Sequence, residues 1–226
     1  MENLTLVIPA KNERESLPSV LDELKRFNLK IIIVLEKNDL DTIESIKGYN
    51  CEILYQKNKG YGDALIQGIK STRTKYFCIF NADGSFIPDE LEKMYNLLEA
   101  DSSDFVFGSR YMKNASSEDD TLITFIGNKI FSFFGNLFFS LKISDILYTY
   151  VMGNTQYANS LNLVEKKFSF CVELPIKVKR SGFRLIAYPC HERHRIAGKK
   201  KVNAFKDGFL ILLSMIKLFF TKPERK

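Results

Sequence analysis

The chain has 226 residues, 45% of them hydrophobic and 27% charged, with a formal net charge of +6. That is enough apolar material for one well-buried domain, and it excludes an intrinsically disordered chain. A pI near 9.0 suits an anionic partner, which nucleic acid, a phosphorylated lipid surface or a nucleotide would each supply.

Residues 4–8 form an apolar run that reads as a strand. The helix predicted over 17–27 is the clearest in the chain. Ser16 stands where a cap would stand, Pro18 falls in the first turn, and Leu17, Val20, Leu21, Leu24 and Phe27 recur at helical spacing. Strands then follow at 30–35, 51–55 and 76–80, separated by helices at about 41–47 and at 62–71. A helix at about 88–100 leads to a strand at 104–107, which ends in Gly108-Ser109-Arg110. Such alternation predicts an α/β fold, a mostly parallel sheet flanked by crossover helices.

The texture changes after residue 112. A polar link, 113–120, precedes an apolar, phenylalanine-rich segment, 122–143, that is helical by length but apolar nearly all round. It suits a core helix covering the sheet or a surface that meets lipid. The last predicted helix, 203–220, aligns Phe205, Phe209, Leu212, Leu213, Ile216 and Phe220 on one side, with Lys206, Lys217 and Lys222 along or just beyond it. That pattern suits an anionic membrane surface, and packing against the domain or a dimer contact would use the same residues. The expected organisation is a catalytic domain over 1–202 and an amphipathic helix with a basic tail over 203–226.

The cysteines at 51, 78, 171 and 190 share no CxxC spacing and read as buried reduced thiols, which points to a reducing, cytoplasmic setting. The N-terminus lacks a basic region followed by an apolar core, and no run approaches about 18 apolar residues, so neither a leader nor a membrane span is expected.

Four strand ends present polar groups: Pro9-Ala10-Lys11-Asn12-Glu13, Glu36-Lys37-Asn38-Asp39, Asn58-Lys59-Gly60-Tyr61-Gly62 and Asn81-Ala82-Asp83. In an open parallel sheet, ligands collect outside the carboxyl ends of the strands, so all four should face one crevice. There Asp83 is a candidate to hold a divalent cation against nucleotide phosphates. Asn12, Glu13 and Glu36 can accept hydrogen bonds from a base or ribose, and Gly60 and Gly62 let backbone approach a ligand at a helix start.

The runs VIPAKNERESLPSVL, NKGYGDALIQGIK, FNADGSFIPDEL, DFVFGSRY and YPCHERHRIAGKKKVNAFKDG resemble the family 2 glycosyltransferases. The likeness is to the branch of dolichol-phosphate mannosyltransferases and polyprenyl-phosphate glycosyltransferases, and it covers about residues 3 to 208. It implies the GT-A fold, a Rossmann-like domain with a nucleoside diphosphate sugar as donor and Mg²⁺ or Mn²⁺ on its diphosphate. By position it implies Pro9, Ala10, Asn12, Glu13 and Glu36 around the nucleoside, with Asn58, Gly62 and Ala82 nearby, and Asp83 as the metal-binding acid. It further implies Arg110, Arg195 and Lys201 as positive charge for the donor diphosphate or an acceptor phosphate, and Asp145 on the acceptor side. Glu192 is expected to hold Arg195 or Arg193.

Two departures stand out. Asn81 replaces the first acid of the usual DxD, so its amide oxygen can still ligate a metal but adds no charge. Glu36 keeps one carboxylate where relatives commonly have two. The expected activity is an inverting transfer to a polyprenyl phosphate or a glycan, with Asp145 the first candidate base if the acceptor is a sugar hydroxyl. Alternatives are a non-catalytic nucleotide-sugar-binding protein and a nucleotidyltransferase of similar fold. Nucleic acid is disfavoured as a partner, because the positive charge gathers toward the C-terminal half without base-stacking motifs.

Overall fold

The structure is a computed structural model that describes residues 1–198 and 200–221. In chain order its first half runs β1 (Leu4–Pro9), α1 (Leu17–Leu24), β2 (Lys30–Leu35), α2 (Leu40–Ser45), β3 (Glu52–Tyr55), α3 (Tyr61–Ser71), β4 (Tyr76–Ile79), α4 (Glu90–Glu99) and β5 (Phe105–Ser109). The second half runs β6 (Ser116–Ser117), α5 (Leu122–Phe139), β7 (Val151–Asn154), α6 (Thr155–Ser160), α7 (Phe170–Arg180), β8 (Leu185–Pro189), β9 (His191–Glu192) and α8 (Ala204–Phe220). The main sheet has seven strands in the order β3-β2-β1-β4-β7-β5-β8, and a small parallel pair joins β6 to β9. Only β7 runs against its neighbours β4 and β5. The carboxyl ends of β1, β2, β3 and β4 therefore open on one side, as the strand–helix alternation predicts.

Alternate strand residues point to opposite faces and build two cores. Leu6, Ile8, Ile33 and Phe80 pack with Leu17, Leu21 and Leu24 of α1, while Val7, Val34, Phe77 and Ile79 pack with Leu65 and Ile69 of α3 and Phe170 and Leu174 of α7. Each such fully buried side chain contributes about 1.5–3 kcal/mol. Helix α1 buries the expected Leu17, Val20, Leu21 and Leu24, but Ser16 makes no cap hydrogen bond. Its hydroxyl donates instead to Glu13 Oε2 at 2.7 Å, so the side chain serves the crevice rather than the helix. A single 3₁₀ turn, Lys25–Phe27, ends the helix at Asn28, whose φ of 47° stops further winding.

Helix α5 is built inside out. Its buried residues are Asn128, Ser132, Gly135 and Phe139, while Leu122, Ile123, Ile126, Ile130, Phe133 and Leu137 are exposed. The polar row grips the backbone beneath: Asn136 brackets Ile143 through both its N–H and its C=O, Ile146 N donates to Ser132 Oγ at 3.0 Å, and Leu147 N donates to Asn128 Oδ1 at 3.4 Å. The helix stops at Phe139 rather than 143 because Ser140 adopts a φ of 53°. Helix α8 packs Ile211, Met215 and Leu218 against α5 and α7 and leaves Phe205, Phe209 and Phe220 exposed. The expectation that no segment reaches membrane length is corrected by α5. With 18 residues at a hydropathy of 1.4, it is long and apolar enough to cross a membrane by length and composition alone, with 22% of it buried. Asn128, Lys129, Ser132 and Asn136 break the run in sequence but not in the helical average.

Candidate active site

The four strand ends line one cavity of about 640 Å³. Of the residues expected there, Pro9, Ala10, Asn12, Glu13, Glu36, Asn81, Ala82, Asp83, Arg110, Arg195 and Lys201 all line it. Asn58, Gly62 and Asp145 do not, and each has structural work instead. Asn58 donates from its backbone and side chain to Asp63, at 3.2 and 3.1 Å. Gly62 lies against a backbone loop, so that a Cβ there would sit 2.1 Å from Glu165 O. Tyr61 between them does reach the cavity: its hydroxyl is 2.7 Å from Thr149 Oγ1 and 3.4 Å from Asn81 Oδ1, and its ring stacks on Phe168.

The nucleoside side is set by β1 and β2. Asn12 turns the chain with a φ of 51° and donates its N–H to Asp39 Oδ2 at 2.7 Å, while Glu13 N donates to Thr42 Oγ1 at 2.9 Å. Lys11 reaches Glu36 at 2.8 Å. Glu13 is almost buried, with one oxygen taken by Ser16 and the other by Lys201.

Asp83 sits just past β4. Its Oδ1 accepts from Ser85 N at 3.0 Å and from Ser85 Oγ at 2.7 Å, which closes a short turn around the carboxylate. The segment 192–196 lies antiparallel over this turn, through a Phe86–Glu192 bridge, Arg193 N to Ser85 O at 3.1 Å and Ile196 N to Asp83 O at 2.8 Å. This strap brings Arg195 Nη1 to 3.5 Å from Asp83 Oδ2 and Arg195 Nη2 to 2.7 Å from Asp119 Oδ2. Lys200 also reaches Asp119, at 3.3 Å. Lys199, part of the basic run at 198–201, and Lys222 lie outside the described residues.

Arg110, at the end of β5, is held on both sides. Asp145 takes its Nε at 2.7 Å and its Nη2 at 3.0 Å, and Glu192 takes its Nη1 at 3.0 Å. Asp145 also accepts from Arg110 N at 3.0 Å and from Asn128 Nδ2, and its side chain has no exposed surface. Burial alone would lower the pKa of Arg110, but the carboxylates of Asp145 and Glu192 hold it well above its usual value. Two expectations are corrected here. Asp145 is not placed as a base facing an acceptor, because its oxygens are committed to Arg110 and Asn128. Glu192 holds Arg110 and Ser117, whereas Arg193 pairs with Glu23 and Arg195 with Asp83 and Asp119.

Sequence reasoning missed Asp119 and Asp120 as lining residues, while Tyr61 and Lys200 fall in the runs 58–62 and 198–201 that it had placed at the crevice and near the phosphate. The signal for Asp119 was the acidic run Glu118-Asp119-Asp120 within a link whose far partner, 193–201, is basic. Burial raises the Asp119 pKa, but Arg195 and Lys200 outweigh it and hold the carboxylate below its ordinary 3.8. A carboxylate with a depressed folded-state pKa stabilises fully above its unfolded value, and that stabilisation is lost as pH falls through the depressed one. Asp119→Asn is therefore expected to cost about 1 kcal/mol at pH 7, discounted for partial exposure. The thermal-melt difference from wild type should hold to about pH 4 and shrink only below it. A difference that instead vanished between pH 6 and 7 would mean that another group carries it.

The mostly parallel sheet flanked by helices, with a crevice outside its strand ends lined by carboxylates and cations, is the GT-A fold. The family described as glycosyl transferase family 2 matches residues 5–161, and the chain belongs to it and is a glycosyltransferase. An uncharacterized glycosyltransferase of Mycobacterium tuberculosis is 24% identical over 210 residues, covering 93% of this chain and 94% of that one. The UDP-N-acetylglucosamine–dolichyl-phosphate N-acetylglucosaminyltransferase of Methanococcus voltae is 27% identical over 162 residues, covering 62% and 64%. Glucosyl-3-phosphoglycerate synthase from M. tuberculosis, solved with Mn²⁺, UDP and glucosyl-3-phosphoglycerate, shares the fold at a TM-score of 0.75 and 12% identity, covering 98% of this chain and 81% of that one.

Proposed function

We propose that the protein moves a sugar, with inversion, from a nucleoside diphosphate sugar to a polyprenyl phosphate at the cytoplasmic face of a membrane. The observation that carries this reading is the composition of the crevice. Acids that suit a nucleoside and a metal, Glu13, Glu36 and Asp83, face Arg195, Lys200 and Lys201, which suit phosphates. Asp83 fits a divalent cation, since Oδ2 takes no bond from Ser85 and Mg²⁺ is commonly held by one or two carboxylates together with substrate phosphates. Among the described residues no three His, Cys, Asp or Glu side chains converge on a metal point, so Asn81, water and the diphosphate would complete the ligand set. A bound divalent cation would neutralise charge on the departing diphosphate.

In this reading an anionic oxygen of the acceptor phosphate attacks the anomeric carbon. The bond from that carbon to the diphosphate oxygen breaks, and the leaving group takes the electron pair. No proton has to be removed, which agrees with an Asp145 that is already committed to Arg110. Arg195, Lys200 and Lys201 would accommodate the phosphate charge.

The lipid acceptor is supported by where α5 and α8 begin. Thr124 of α5 and Val202, just before α8, line the cavity, and the far ends of the two helices frame an apolar groove of about 210 Å³ lined by Phe134, Phe138, Phe139, Leu212, Met215, Ile216, Phe219 and Phe220. Lys129, Lys142, Lys206 and Lys217 are exposed on or beside these helices, which suits peripheral contact with anionic lipid.

The test is transfer from UDP-, GDP- and dTDP-sugars to polyprenyl phosphate in anionic vesicles with Mn²⁺, with both products identified. One donor should give a lipid-linked sugar and a nucleoside diphosphate, and Asp83→Ala should lower turnover by about a hundredfold or more. Pyrophosphate among the products would make the protein a nucleotidyltransferase, and donor binding without turnover would make it a binding protein. Turnover indifferent to Asp83→Ala would refute the role given to that carboxylate.

A further inference from the structure

Three acids around the Asp83 turn, Glu13, Asp119 and Asp83 itself, already have a cation from the chain. Glu13 holds Lys201, Asp119 holds Lys200 at 3.3 Å, and Asp119 and Asp83 share the two ends of the Arg195 guanidinium, at 2.7 and 3.5 Å. The placement of Arg195 is not an accident of a long side chain at a free surface. The strap is pinned to the turn by two backbone hydrogen bonds on either side of Arg195, Arg193 N to Ser85 O and Ile196 N to Asp83 O. On the other side of the carboxylate, Ser85 takes Oδ1 with both its N–H and its hydroxyl. The oxygen left for a metal, Oδ2, is the one that faces the guanidinium.

We propose that Arg195 is a resident counter-cation of Asp83, and that a divalent metal is admitted there only together with a nucleoside diphosphate. A dication approaching the free protein meets a positive charge fixed within a few ångströms of its ligand, and that repulsion opposes binding. A diphosphate changes the balance, because its oxygens offer a guanidinium bidentate partners of higher charge than Asp83 gives it. Arg195 then exchanges a carboxylate for phosphate, and Oδ2 becomes available as the metal arrives. The loss of the first DxD acid at Asn81 sharpens the effect, since no second carboxylate in that block offsets the guanidinium. The inference rests on the nucleotide-sugar reading for its second ligand, but not for its central comparison.

That comparison uses Mn²⁺ alone, with free Mn²⁺ followed by its electron paramagnetic resonance signal as the full chain is titrated. Wild type should bind Mn²⁺ alone at least about tenfold more weakly than Arg195→Met or Arg195→Gln, and Arg195→Lys should resemble wild type. Adding Asp83→Asn to either neutral variant should abolish the gain. Two neutral variants guard against one that fails to fold, which circular dichroism would reveal. Wild type that binds Mn²⁺ alone within about threefold of both neutral variants would overturn the proposal, as would a gain that survives Asp83→Asn. A separate arm adds UDP, GDP or dTDP and should tighten Mn²⁺ binding to wild type by about tenfold or more. If no nucleotide binds, the nucleotide-sugar reading fails, while the Mn²⁺-alone comparison still decides whether Arg195 guards Asp83.

Discussion

Asp145→Ala is expected to destabilise the protein by about 3–5 kcal/mol, a fall in Tm of roughly 10 °C, because it leaves the Arg110 guanidinium buried against a vacancy. Asp145 supplies two of the three carboxylate contacts that the Arg110 guanidinium makes, accepts from Arg110 N as well, and accepts a hydrogen bond from Asn128 on α5. One substitution therefore loosens the end of β5, the 143–147 segment and α5 together. The paired variant Arg110→Met with Asp145→Leu separates stability from function. Removing both charges should recover part of the lost stability, since a buried ion pair replaced by apolar groups is often close to neutral, while Glu192 loses its Arg110 partner and keeps the recovery short of complete. Transfer should stay low, because a cation at the cavity wall is gone. Thermal melts and turnover measured on the three proteins would check both halves. If Asp145→Ala melted within about 1 °C of wild type, the buried-pair account would be wrong.

The second large effect is expected at Gly62, in the first turn of α3. By helix propensity alone Gly62→Ala should stabilise, by close to 1 kcal/mol. Packing reverses the sign. An added Cβ would lie 2.1 Å from Glu165 O, 2.7 Å from Lys167 O and 2.9 Å from Phe170 Cβ, and main-chain atoms cannot rotate aside as a side chain can. The loop that would have to move is anchored by buried Glu173, whose carboxylate accepts Val164 N at 3.0 Å and Glu165 N at 2.8 Å. A net loss of about 3 kcal/mol is expected. Phe168 shifts with that loop and so does Tyr61 stacked on it, and so the affinity for a nucleoside diphosphate should weaken as well. Chemical denaturation and calorimetric binding would each report one half. A stabilised Gly62→Ala would show that the loop yields more easily than its anchors imply.

The strand ends were legible in the sequence because strands of four to six mostly apolar residues give way at Pro9, Glu36, Gln56 and Asn81 to polar or turn-forming residues. The second half was less legible for physical reasons. β7 is four residues with a glycine inside, and Gly153 is required because the Phe105 ring would lie 2.3 Å from any Cβ there. Helix α7 is buried at nearly every position and contains Pro175, so it has no polar face from which a 3.6-residue period could be read. At the site, Asp83 and Arg195 were each expected, but not their meeting. The strap that joins them crosses more than a hundred residues of sequence and is held mostly by main-chain hydrogen bonds, which no side-chain pattern encodes. The role of Asp145 was misread for a related reason. A carboxylate looks the same in sequence whether it faces a cavity or a buried guanidinium.

Helix α5 divides its duties by face. The residues that fix the chain beneath it, Asn128, Ser132 and Asn136, are polar and turned inward, and the apolar residues turned outward contribute little to holding that chain. Mutation can therefore rewrite the exterior to suit a different surrounding, from lipid to a protein neighbour to plain water, while the geometry at Arg110 stays as it is. The two faces of this one helix are thus under separate constraints and free to drift apart.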